Sequence, residues 1–174
     1  MKTSRILILA ILLAIKSFGQ DYPTPFVIEK IDSAKGTKDE LFVKANVWVA
    51  KTFVNAKDVI QMHDKEAGKI VVKGLINTKN FSFVIEYNYY SSFLMTIDVK
   101  DNKYRYSFSD FIFTEWVNSS HSDIYNQSFE SGRPKGLSGI PQKVWDKIQK
   151  NCWTQAKLMG RDLESAMKAK SDNW

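Results

Sequence analysis

One cysteine, Cys152, in 174 residues leaves no internal disulfide for the chain to form, so stability has to come from packing. Only four prolines and eight glycines interrupt it, which argues against a low-complexity or collagen-like segment. Charge of one sign is also scarce. The formal net charge is +6, and Lys2, Arg5 and Lys16 carry three of those charges within the first nineteen residues, leaving about +3 for the remainder. A nucleic-acid binder needs a concentrated basic face, whereas Lys and Glu are interspersed here, so nucleic acid is not expected as a partner. No glycine-rich phosphate loop, no Gly-x-Ser-x-Gly elbow and no Cys/His metal spacing occurs. The sequence therefore predicts no cofactor, no metal and no catalytic residue.

Long hydrophobic runs are missing as well, apart from Ile6 to Ile15. That run follows Lys2 and Arg5 and precedes the small residues Ser17 and Gly19, the pattern of a cleaved secretory signal. It is about half the roughly 20 residues needed to span a bilayer. The expectation is a signal peptide over 1–19 with cleavage near Gly19, and a single exported α+β domain over 20–174, periplasmic or extracellular, with no membrane span in the mature chain.

What the sequence does contain is aromatic and β-branched material with clear periods. "FVIEKID" (26–32) alternates as a strand. Thr37 and Glu40 form a capping box, and Leu41, Ala45 and Trp48 continue at helical spacing, predicting a helix over about 38–53. "DVIQM" and "KIVVKGLI" read as a hairpin joined by "HDKEAG", with Gly68 supplying a positive φ. The rival reading of His63, Asp64 and Glu66 as a metal cluster lacks ligands from a second element. "FSFVIEY" and "FLMTIDV" read as two strands joined by "NYYSS". After the tight turn Asp101-Asn102, "KYRYSFSDFIF" reads as another. A two-residue turn there sets Val99 opposite Tyr104, Asp98 opposite Arg105 and Ile97 opposite Tyr106. One face then collects Phe93, Met95, Ile97, Val99, Tyr104, Tyr106 and Phe108, and the other holds Asp98 and Arg105 as an ion pair. From Val117 to Gly139 no period is visible, and a long loop is expected. Beyond Pro141, the positions Trp145, Ile148, Cys152, Ala156, Met159, Leu163 and Ala166 recur as a helical stripe. Cys152 in that stripe reads as a small buried hydrophobe. The fold class is thus α+β: an antiparallel sheet of five or six strands with two helices packed on one face, in the order strand-helix-strands-helix.

The stretch from Lys38 to Gly74 carries a resemblance. The helix start Lys38-Asp39-Glu40-Leu41, the mid-helix Trp48 and the helix end at Phe53 match it in order and spacing. The strand entry Ala56-Lys57-Asp58-Val59-Ile60 and the turn Asp64-Lys65-Glu66-Ala67-Gly68-Lys69-Ile70 match too. Together they resemble a bacterial family of exported proteins known as a domain of unknown function with a TATA-binding-protein-like (TBP-like) fold. The resemblance implies a fold and no activity.

Aromatic residues outside the periodic stripes are the remaining candidates. Tyr89, Tyr90, Trp116, His121, Tyr125 and Phe129 form the expected partner surface, for an envelope protein, peptide or glycan. The expected role is a non-enzymatic binding or accessory module. The alternatives are an envelope hydrolase built around His121 and Asp123, or a purely structural envelope component.

Overall fold

The computed structural model describes residues 22–135 and 140–169. The predicted leader, its cleavage point and positions 136–139 of the expected loop lie outside the described residues. The chain forms strand β1 (Ile28–Ser33), helix α1 (Lys38–Thr52), a single helical turn α2 (Ala56–Val59) and strands β2 (Ile60–Asp64), β3 (Lys69–Ser82), β4 (Ile85–Lys100), β5 (Lys103–Asn118) and β6 (His121–Ser128). A 3-10 turn (Phe129–Ser131) leads towards helix α3 (Gln142–Lys168). The strands make one antiparallel six-stranded sheet in the order β1-β5-β4-β3-β2, with β6 also paired to β5. The expected α+β class holds.

Local chemistry explains the ends of α1. Thr37 Oγ1 accepts from the Glu40 amide at 3.3 Å, while Glu40 Oε2 accepts from the Thr37 amide at 2.8 Å. The "HDKEAG" stretch is a turn: Asp64 Oδ1 accepts from the Ala67 amide at 2.8 Å, and Gly68 takes φ +66°. His63 points back to α1, 2.7 Å from Asn46 Oδ1, with its ring against Phe42.

β4 is central, and its register to β5 is the expected one: Val99 opposite Tyr104, Asp98 opposite Arg105, Ile97 opposite Tyr106. Phe93, Met95, Ile97, Val99, Tyr104, Tyr106 and Phe108 are all buried beneath the helices. Asp98 on the other face holds Arg105 at 2.9 Å and Lys69 at 3.0 Å. Bulges between β4 and β5, with Asp110 at φ +51°, re-phase β5. Its inward residues therefore pass from Tyr104, Tyr106 and Phe108 to Phe111 and Phe113. β1 and β6 share one side of β5, β1 along Lys103–Phe108 and β6 along Ile112–Asn118.

α3 buries Trp145, Ile148, Cys152, Ala156, Gly160, Leu163 and Met167. The stripe thus runs through Gly160 and Met167, with Met159 and Ala166 half-buried at its margin. Tyr106 is the reason: a Cβ at Gly160 would lie 2.7 Å from the Tyr106 hydroxyl. That hydroxyl donates to Glu164 at 2.7 Å, Glu164 pairs with Lys30 at 2.7 Å, and Lys168 reaches Asp32 at 2.6 Å. Trp48 Nε1 donates to Asp162 at 2.8 Å and joins the two long helices.

Two sequence expectations are corrected. "FSFVIEY" does not form one strand, and "NYYSS" is not a connection. β3 ends at Ser82, the chain reverses at Phe83-Val84, and β4 runs unbroken from Ile85 through Tyr89 and Tyr90 to Lys100. Alternating apolar residues disguised a turn that contains none of the usual Gly, Asn or Asp. The expected loop over 117–139 is largely strand: β5 continues to Asn118, and β6 pairs along it to Ser128. β6 is polar because it lies at the sheet edge, so the hydrophobic alternation that marks a strand is weak there.

Two outcomes follow from this packing. A Cβ at Gly74 would lie 2.1 Å from the Phe93 ring that covers it. Gly74→Ala should lower stability by roughly 1–3 kcal/mol in urea unfolding, and pairing it with Phe93→Leu should recover part of the loss. Burial of Asp98 opposes its ionisation, but the hydrogen bonds and charges of Arg105 and Lys69 outweigh burial and hold the carboxyl below the ordinary aspartate value of 3.8. A folded pKa below the unfolded one gives stability that is present above that value and lost as pH falls through the folded one. Asp98→Asn should therefore flatten the fall in urea midpoint below about pH 4. Superimposable acid limbs for the two proteins would contradict it.

Candidate functional site

Period-two alternation decides which expected site residues meet. On β6, His121, Asp123 and Tyr125 project to one face, while Ser122 turns to the other and donates to Glu115 at 2.8 Å. Pairing of β6 to β5 sets Asp123 opposite Trp116, and pairing of β5 to β4 sets Trp116 opposite Tyr89. The result is a cluster across three strands. His121 Nε2 lies 2.8 Å from Asp123 Oδ1. The Tyr125 hydroxyl donates to Asp123 Oδ2 at 3.3 Å. Trp116 meets the His121 ring edge-on at 5.4 Å and lies near-parallel to Tyr89 and Tyr87, each at 6.2 Å. Burial raises the pKa of Tyr89, with Tyr87 adding to it, and burial with Asp123 raises that of Tyr125. The Trp116 indole N–H is buried with no acceptor among the described residues.

The cluster brings together Trp116, His121 and Tyr125, adds Tyr87 and Asp123, and rests on Tyr89, which is 4% exposed and belongs to the core and not to a surface. Tyr90 faces away, between Asn77 and Glu115 on the helix-free side of the sheet. Phe129 is 3% exposed and packs edge-on against Phe26 and Trp145, so it belongs to the core and not to a surface.

Chemically the His–Asp pair is incomplete as a nucleophile-activating device. A base needs the nucleophile's hydroxyl on its second ring nitrogen. Here the neighbouring hydroxyl, Tyr125, bonds the carboxylate instead, and the serine between them faces the opposite way. Glu86 and Asp98, which share a face, do not form a carboxylate pair: Glu86 is bonded to Lys79 and Asp98 to Lys69 and Arg105. Among the described residues no three His, Cys, Asp or Glu side chains are grouped to hold a metal.

A second group escaped the sequence reading. The β3–β4 hairpin ends in Phe81, Phe83, Val84 and Ile85, which are 65%, 102%, 97% and 40% exposed. Phe83 sits at φ +56°, where a bulky side chain is uncommon. Ile85 and Tyr87 continue from this tip along the inner face of β4 towards Trp116. The tip and the cluster therefore share one end of the sheet. Clefts of about 820, 640, 460 and 390 Å3 lie elsewhere, among them one between α1 and α3 around Val47, Trp48 and Asp162. Among the described residues no helix is long and apolar enough to cross a membrane.

A family model described as a domain of unknown function (DUF4468) with TBP-like fold matches residues 28–114. The crystal structure of a DUF4468 family protein from Bacteroides ovatus ATCC 8483 is similar, with a TM-score of 0.62 at 13% identity, over 85% of this chain and 89% of that one. A TBP-like protein from Parabacteroides distasonis ATCC 8503 gives 0.63 at 17% identity, over 82% and 92%. These likenesses establish the fold. No curated protein matches the chain.

Cys152 is fully buried, and burial pushes its thiol up to about 12, with Ser91 opposing. It should stay unreactive to Ellman's reagent at pH 8 until the protein is unfolded. Stoichiometric labelling of the folded protein would contradict the packing of α3.

Proposed function

The chain belongs to the DUF4468 family, a domain of unknown function with a TBP-like fold, and from that premise we propose that it is a non-enzymatic binding or accessory module of the bacterial cell envelope. The observation that carries this reading is the hairpin tip, where Phe83 and Val84 are fully exposed beside Phe81. Soluble domains rarely spend large apolar side chains on a protruding turn, and such patches mark contact sites. A phenylalanine in the left-handed region adds backbone strain, which persists at positions kept for contact rather than for folding. Tyr87, Trp116, His121 and Tyr125 extend the surface with amphipathic rings, the residue types that dominate recognition. Export is supported by Lys2, Arg5 and the apolar run Ile6–Ile15.

Nucleic acid is not the partner on this reading, although the fold is that of a DNA-bending protein, because fold does not fix function. Minor-groove binders of that kind carry cations and apolar wedges on the sheet face. Here acids are interleaved with the cations on that face, Asp98 pairing with Lys69 and Arg105 and Glu86 with Lys79, so no concentrated basic patch forms. The second reading, an envelope hydrolase, is favoured by the 2.8 Å His121–Asp123 pair alone.

The test is capture from a detergent-solubilised envelope by the tagged protein and by a Phe83→Ser/Val84→Ser variant of unchanged circular dichroism. The expected result is a partner retained by the first and lost by the second. Equal capture by both, or a hydrolytic activity abolished by His121→Ala, would overturn the proposal.

A further inference from the structure

β3 is fourteen residues long and its outer neighbour β2 only five, and the mismatch leaves backbone without a strand partner. β2 pairs with β3 from Lys69 to Val72 alone. From Lys73 to Ser82 the inner side of β3 is laddered to β4 in one unbroken register, and among the described residues no strand pairs its outer side. Three hydrogen bonds fix the direction of the backbone groups. The Gly68 carbonyl accepts from the Val99 amide at 2.8 Å, so even-numbered positions face β4. The Asn77 carbonyl accepts from the Asn151 side chain at 3.2 Å, and the carbonyl of Tyr90 opposite accepts from Thr114 at 3.1 Å, so odd-numbered positions do not. In an antiparallel ladder both backbone groups of a residue point the same way. Lys73, Leu75, Asn77, Lys79 and Phe81 therefore aim their N–H and C=O groups outward, and of these the Asn77 carbonyl is held by Asn151, which an added strand would displace.

Natural edges are blunted by proline, bulges, brevity or lysines, and of these the stretch from Lys73 to Ser82 carries only Lys73 and Lys79. This one has no proline and no bulge, and it exposes Leu75 at 62% and Phe81 at 65%. At its inner end a cleft of about 460 Å3, lined by Phe53, Val54, Val59 and Leu75, has room for an apolar side chain. Cations flank it on both faces. Lys73 has no ion-pair partner among the described residues, Lys79 pairs with Glu86 at 2.9 Å, and Lys147 reaches across from α3 to Asn80 at 3.0 Å. Edge-to-edge pairing of two copies in the register that sets Lys73 opposite Lys79 would place like charges together, which disfavours that arrangement of a second copy.

We infer that the free edge of β3 accepts an extended, acidic segment of a partner protein as an added strand, its β-branched side chain seated in the 460 Å3 cleft and its carboxylates beside Lys73 and Lys147. The inference rests on the binding-module reading and uses an edge that adjoins the hairpin tip at Phe81 without involving Phe83 or Val84.

The probe is a synthetic decapeptide alternating Val or Ile with Asp or Glu, added to the 15N-labelled protein and followed by amide hydrogen exchange. Exchange at Leu75, Asn77, Lys79 and Phe81 should slow at least about tenfold while Ile76, Thr78 and Asn80, already bonded to β4, stay unchanged. A decapeptide with Lys in place of the acids should bind about tenfold more weakly. Lys79→Pro, which removes an outward N–H and leaves the β4 ladder intact, should abolish the effect. Should that variant misfold, peptides N-methylated at alternate residues replace it: one phase of methylation blocks binding and the other does not. Protection without this alternation, no saturable change up to about 1 mM, or binding equal in both methylation phases overturns the inference. The same alternating protection growing with protein concentration in the absence of peptide also overturns it, in favour of a second copy. The Phe83→Ser/Val84→Ser variant should keep peptide binding, so its capture defect and an edge failure are told apart.

Discussion

The register of β4 between β3 and β5 is the constraint on which the rest of this protein depends. β4 pairs with β3 from Ile85 to Asp98 and with β5 from Asn88 to Lys100. Because side chains alternate, a slip of one residue would send Phe93, Met95, Ile97 and Val99 to solvent and bring Asp98 under the helices. Two short turns fix it, Asp101-Asn102 on one side and Phe83-Val84 on the other. The first is reinforced from outside: Asp101 accepts from the Lys38 amide at 2.7 Å, and the Asn102 amide donates to the Gly36 carbonyl at 2.9 Å. The entry to α1 and the β4–β5 turn are thus one unit.

Helices complete the core by shape rather than by charge. Gly160 admits Tyr106, Gly74 admits Phe93, and Ala45 and Ala156 are buried along the two long helices. The ionic contacts of Lys30, Asp32, Glu164 and Lys168 lie at the rim, where they orient the end of α3 against β1. Such pairs add little to stability and more to geometry. The single cysteine contributes as a packing atom.

The core was legible wherever one face is buried and the other is wet. The capping box, the β4–β5 register, the Asp98–Arg105 pair and most of the α3 stripe follow from local pattern alone. The turn at Phe83-Val84 was not legible, because a strand-like alternation continues straight through it. β6 was hidden for the opposite reason: its inward residues are His121, Asp123 and Tyr125, so no apolar period marks it as a strand. The candidate surface was half legible. Trp116, His121 and Tyr125 were identifiable as residues without a place in a stripe, whereas Tyr89 belongs to the core, and the bulges that turn Trp116 towards His121 leave no trace in composition. Phe129 was misplaced because an aromatic after a polar strand reads the same whether it caps the core or leaves it.

The proposed binding role rests on what the register leaves uncovered: an exposed apolar tip, and a strand edge longer than its neighbour. The central claim is therefore tested most directly by cross-strand NOEs in the labelled protein. The structure predicts strong Hα–Hα contacts at the non-hydrogen-bonded pairs Leu75–Ser92 and Asn77–Tyr90, with none at Leu75–Ser91 or Asn77–Tyr89. Contacts displaced by one residue would contradict the register, and with it the core, the exposed tip and the open edge together.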